Sequence, residues 1–207
     1  MFAVVTDGNI TSFPKGNKGI TIGDNQYPAA IYTLWTEAEK NAIGIYTVEI
    51  DNTNKKDEEW YINTNITYAF GSGKVTGSYG TATAKAIADS LYTSQDNTDG
   101  LIPEGKSVGD VKVKGLKTLY KENFNAQAAG LLTPTDWYVI KATDVESYSV
   151  PSNIATYRAA VRTKVNAMET SIDGCSDVAA LITLLTYTKD SEGVVSRPLG
   201  EFPDEVV

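Results

Sequence analysis

Apolar and polar residues alternate along the first third of the chain and then repeat every three to four positions along the last third. Phe2 to Thr6 is apolar and β-branched, Asp7-Gly8 suits a turn with positive φ, and Asn9 to Phe13 resumes the alternation. This predicts a hairpin over 2–13, ended by Pro14. Tyr27-Pro28 starts an extended stretch. Thr36 to Ala42 reads as a short helix with Glu37 and Glu39 in its first turn, closed by Gly44. Ile45 to Ile50 alternates again. Trp60, Ile62, Ile66, Tyr68 and Phe70 share one parity, which predicts a long two-faced strand. Gly71-Ser72-Gly73 turns the chain, and the glycines of the returning 74–83 strand predict a bend or a sheet edge.

Residues 85–92 carry Ala86, Ile87, Ala88 and Leu91 at helical spacing. Residues 93–110 are polar and turn-rich, and the main boundary is placed here. Leu116, Leu119, Tyr120, Phe124, Ala128 and Leu131 predict an amphipathic helix over 111–132, stopped by Pro134. Trp137 to Ile140 reads as extended or as the start of a turn. Helices are expected over 152–172, capped by Ser152 or Asn153 and carrying Ile154, Tyr157, Val161, Val165 and Met168 on one face, and over 176–187, capped by Ser176. The tail after Thr188 reads as irregular. The fold class is therefore α+β: an N-terminal antiparallel β domain (1–92), a linker (93–112), a small helical C-terminal domain (113–188) and a tail (189–207).

The 207 residues carry a formal net charge of −8 and no histidine. A basic footprint for nucleic acid is not expected. Without histidine there is no Ser-His-Asp triad, no Cys-His dyad and no His-based zinc site. The one cysteine, Cys175, is flanked by Asp173 and Asp177, the wrong sign for an activated thiol. No apolar run approaches the 18 residues of a membrane span, and the N-terminus lacks a signal-peptide pattern. Glu58 and Glu59 are adjacent, so on a strand they point to opposite faces and do not act together. Asp96-Asn97-Thr98-Asp99-Gly100 lacks the later ligands of a calcium loop. Gly71-Ser72-Gly73-Lys74 runs into a strand pattern rather than the helix a phosphate loop needs. No catalytic, cofactor-binding or metal-binding residue is predicted, and no enzyme activity. Twelve tyrosines and three tryptophans fit interface chemistry as well as ordinary strands.

The run Leu131-Leu132-Thr133-Pro134-Thr135-Asp136-Trp137-Tyr138-Val139-Ile140-Lys141, then Val150-Pro151, then Tyr157-Arg158-Ala159-Ala160-Val161-Arg162, resembles the C-terminal signature of tail-fibre assembly and tail-associated proteins of tailed bacteriophages. The leading segment around Phe2, Asp7-Gly8, Ile10 and Phe13-Pro14 is similar to the small first domain of the same proteins, while 84–112 departs from them. The resemblance implies a tail-located virion protein that docks on fibre or baseplate proteins in multiple copies, synthesised in the host cytoplasm, without nucleic acid, membrane or cofactor. A fibre assembly chaperone absent from the particle and a host-glycan-binding module are the alternatives. The residues expected to bind the partner are Asp136, Trp137, Tyr138, Tyr157, Arg158 and Arg162. Arg158 and Arg162 share a helix side and read either as partner-docking groups or as members of internal ion pairs. Trp137 itself is expected in the core.

Overall fold

A computed structural model describes residues 1–205 and divides the chain into two compact units, Met1–Ala84 and Lys85–Val207. The fold is α+β, with the sheet in the first unit and the long helices in the second.

The first unit runs β1 (Phe2–Thr6), β2 (Asn9–Ser12), β3 (Ile20–Ile22), β4 (Asn25–Tyr27), α1 (Ile31–Leu34), α2 (Glu37–Ala42), β5 (Ile45–Asp51), β6 (Tyr61–Ile62), β7 (Thr67–Gly71), β8 (Lys74–Ser78) and β9 (Thr83–Ala84). Five strands form one sheet in the order β2-β1-β5-β8-β7. The pairing is antiparallel except between β5 and β8, which run parallel, so the sheet is mixed rather than purely antiparallel. The hairpin turns at Asp7-Gly8 and Ser72-Gly73 form where the sequence places turns, and a third two-residue hairpin, not expected from the sequence, joins β3 and β4. Asp7 and Gly8 have φ of 50° and 78°, and Ser72 and Gly73 have 52° and 74°, the doubly positive pattern that matches strand twist. Thr36 opens α2 with a capping box through Glu39.

Each face of the sheet carries its own core. Ala3, Val48 and Val75 are buried on one side, with Ile10, Tyr46, Tyr68 and Phe70 packed around them. Ile31, Tyr32 and Ile45 are buried on the other, with Phe2, Tyr27 and Trp35 around them. Phe13, just beyond β2, meets Tyr68 of β7 at 4.7 Å between ring centroids, so the sheet curls its two edges together.

The expected strand from Trp60 to Phe70 is broken into β6 and β7. Asn63 exchanges two 2.8 Å hydrogen bonds with the Lys56 backbone, and Thr64 Oγ1 accepts from the Gly80 amide at 2.7 Å. These polar side chains take the backbone groups a ladder would have used. The glycine-rich β8 is an interior strand, not an edge. A Cβ on Gly77 would lie 2.7 Å from Cε1 of Tyr68, so the glycine makes room for that ring.

The second unit runs β10 (Ser90–Leu91), α3 (Ser94–Thr98), β11 (Val111–Val113), α4 (Leu116–Leu132), a single 3-10 turn (Thr133–Thr135), α5 (Asp136–Asp144), α6 (Ser152–Asp173), α7 (Val178–Leu185), β12 (Thr188–Lys189) and β13 (Val195–Ser196). No helix forms over 85–92. The Ala86 and Ile87 carbonyls accept from the amides of Leu116 and Lys117 instead, and Asp89 accepts from the Gly115 amide (2.6 Å) and the Thr118 hydroxyl (2.9 Å). Asp89 thereby caps α4 from a distance, and α4 starts at Leu116 rather than 111. Gly115 is required there, because a Cβ would sit 2.3 Å from the Ala88 carbonyl carbon.

Helix α6 buries Ile154, Tyr157, Val161, Val165, Met168 and Ile172 along one stripe, and α4 faces it with Leu116, Phe124 and Ala128. The pair is antiparallel. Lys121 bonds Asp173 (2.9 Å) at one end, and the Tyr157 hydroxyl bonds the Leu131 carbonyl (3.4 Å) at the other. Pro151, not Ser152 or Asn153, sits at the N-cap of α6 and gives no side-chain cap. Asp177 rather than Ser176 caps α7, accepting from the Ala180 amide at 2.8 Å. The tail is more ordered than its composition predicts. β12 and β13 pair, and Leu199 is buried with its amide bonded to the Leu184 carbonyl. Arg197 lies over the rings of Phe124 (5.3 Å) and Tyr187 (4.8 Å) and pairs with Glu201 (2.8 Å).

Candidate docking helix and the arginine that sets it

The residues singled out from the sequence fall into two groups with different work. Tyr157 and Arg158 lie inside. Arg158 is 7% exposed, and its Nη1 donates to the Leu132 carbonyl (2.9 Å) and to Thr135 Oγ1 (2.6 Å). Its Nη2 lies 2.8 Å from Asp136 Oδ1. Thr135 in turn donates to the Leu132 carbonyl at 2.8 Å.

The last carbonyls of a helix have no partner within it, and a cation there also meets the negative end of the helix dipole. Tyr157 and Arg158 supply that need at Leu131 and Leu132. The same guanidinium holds Asp136, which opens α5 as an acid in its first turn. One buried side chain therefore ties the end of α4, the 3-10 turn and the start of α5 into a fixed elbow. The expectation that Tyr157 and Arg158 bind a partner gives way to this internal role. Of the other residues expected at a partner, Asp136 and Tyr138 are half-buried and Trp137 and Arg162 are exposed.

Residues 136–144 are a helix, neither extended nor a turn, and none of them is buried. Trp137 is 50% exposed and Ile140 is 62% exposed, with Val139 and Val145 also open. The expectation of a core tryptophan is thus overturned. The Trp137 ring lies on Tyr138 (centroids 3.8 Å apart), and Lys141 Nζ reaches over Trp137 (5.9 Å) and Tyr148 (4.3 Å). α5 is thus a short helix with an apolar and aromatic face outward, a composition expected where a partner excludes water.

Other groups weighed from the sequence have structural partners. Asp96 forms a capping box with Thr93 and an ion pair with Lys112. The Lys112 ammonium, followed by the Thr93 amide and hydroxyl, lowers its carboxyl to about 2. Cys175 is buried, and desolvation raises its thiol. Among the described residues, no cluster of acids and cysteine has the shape of a metal site, and no helix is long and apolar enough to cross a membrane.

Comparison with known proteins gives no match: no family model, no curated protein and no solved structure aligns with this chain.

Proposed function

We propose that this chain is a docking component of a bacteriophage tail, seated on a fibre or baseplate protein through α5. The outward face of α5, with Trp137 and Ile140 open on a helix whose start is fixed by buried Arg158, is the observation that carries the reading. The resemblance of 131–162 to tail-associated proteins supplies the kind of partner. Asp136, Trp137, Tyr138 and Arg162 would meet the partner; Tyr157 and Arg158 act as positioning residues.

A fixed elbow favours this use. Ordering a flexible segment on binding costs affinity, and a helix already set in place avoids that cost. A stable seat needs about 1,000 Å² in total, so α5 would form its centre and flanking surface the rim.

The test is co-purification of the full chain with a co-expressed tail-fibre or baseplate protein, followed by cross-linking. Cross-links at α5, and loss of capture by Ile140→Asp with unchanged folding, support the reading. Equal capture by that variant overturns it. Mass spectrometry of purified particles then separates a retained component from an assembly chaperone, which would be absent.

A further inference from the structure

The tail leaves the helices and then returns to them. Residues 187–196, with the β12–β13 pair among them, are all exposed, and the chain turns back inward at Arg197. Leu199 is the peg. It is buried, its amide donates to the Leu184 carbonyl of α7 (3.1 Å), and its own carbonyl accepts from Lys164 Nζ of α6 (2.7 Å). Gly200 follows with φ of +69°, and a Cβ there would lie 2.5 Å from the same Nζ, so a side chain would displace the lysine. With Arg197 over the Phe124 ring of α4, residues 197–200 reach three helices at once.

Beyond the peg the tail crosses the turns that position α5. Phe202 borders an open hollow of about 390 Å³ with Gly130 and Leu131 at the end of α4. Pro203 and Asp204 border another, of about 450 Å³, with Asn153, Thr156 and Tyr157 on the first turns of α6. Burial, and then the Glu205 carboxylate, raise the Tyr157 phenol, which places that acid near the same turns. Tyr157 and Leu131 are the two ends of the bond that closes α4, and the next residue along α6 is Arg158, which holds the elbow. The start of α6 has no side-chain cap of its own, and helix ends fray. A segment laid across those turns opposes the fraying.

We propose that residues 197–205 are a strap that sets α5: seated, it holds the end of α4 and the first turns of α6, and with them Arg158; drawn off, it lets the elbow loosen. The exposed arm over 187–196 lets the strap lift while the helices stay packed, and the strap is held by one apolar peg and a few polar ties, so its release is a local opening rather than unfolding. A molecule that captures the tail thereby weakens docking through α5. This use of the strap rests on the docking role of α5; the coupling itself does not.

The test is hydrogen exchange of the full chain with no partner present. Leu199→Asp puts a charge in place of the peg. It should quicken exchange in Asp136–Asp144 and Ser152–Ala160 about tenfold or more, while Val161–Ile172 keeps its native rate. Leu199→Met, close in volume, should leave all three segments at the native rate. Lys164→Met keeps a long unbranched side chain and removes the bond to the Leu199 carbonyl. It should give the same pattern at smaller amplitude, and it decides the matter where Leu199→Asp unfolds the chain. Native exchange in α5 overturns the proposal. So does equal quickening in α5 and in Val161–Ile172, which marks a general loss of stability. A chain whose α5 loosens with the tail but whose partner capture ignores Ile140→Asp keeps the strap and loses the docking reading; the reverse result keeps docking and loses the strap.

Discussion

Helices α5 and α6 are neighbours in sequence and are held by opposite means. α6 keeps seven residues out of water along its 3-4 stripe, whereas α5 buries none. α6 is held by its core, and α5 is held at its first turn by one guanidinium. A hydrophobic stripe makes a helix stay whatever its ends do; a polar tie makes it stay only while the tie lasts. The second arrangement leaves Trp137, Val139 and Ile140 open to solvent.

Breaking each kind of support separates them. Truncating the core side, as in Met168→Ala, should cost about 2–5 kcal/mol in urea unfolding, since Met168 is 1% exposed and its loss leaves a cavity. Removing the tie, as in Arg158→Met, should cost about 2–3 kcal/mol through the lost bonds to Leu132, Thr135 and Asp136. Its mark is local: amide hydrogen exchange should quicken across α5 while the Val161–Ile172 part of α6 stays protected. Equal exchange in both helices would show that α5 is supported by something other than Arg158.

Helix α3 offers a third case, held by its capping box and by the Asp96–Lys112 pair. The Asp96 carboxyl titrates at about 2 in the fold, below its ordinary 3.8. A depressed carboxyl stabilises the fold above its unfolded value, and that gain is lost as pH falls toward the folded one. The stability gap between the native chain and Asp96→Asn should therefore be full at pH 7, begin to close near pH 4 and vanish below pH 2, read by denaturation at each pH. The smallest effect is expected of Trp137→Ala. A half-exposed side chain on α5 should cost less than about 1 kcal/mol, and the loss should appear in partner capture instead. A cost of 3 kcal/mol or more would return Trp137 to the core.

The same contrast explains what the sequence revealed. The α6 stripe was legible because burial repeats with the helix period, and every position expected on it is buried. The hairpins at Asp7-Gly8 and Ser72-Gly73 were legible because few residue pairs adopt two positive φ angles in succession. The break between Trp60 and Phe70 was hidden, because Asn63 and Thr64 take their partners from Lys56 and Gly80, positions no local pattern connects. Residues 85–92 failed as a helix for a like reason, their carbonyls being claimed by the start of α4. Within the run from Asp136 to Arg162 the sequence did not show which side chains lie inside and which outside. Trp137 was expected within and lies outside; Arg158, read either as a partner-docking group or as a member of an internal ion pair, is the latter and serves the α4–α5 elbow.

The lone thiol has a practical reach. Cys175 is enclosed and its proton is held more firmly than usual, so it should be slow toward maleimides while the fold is intact. A cysteine introduced on open ground, such as Ile140→Cys, would then take a fluorophore selectively without any need to remove the native one, and covering of α5 by another molecule could be watched directly.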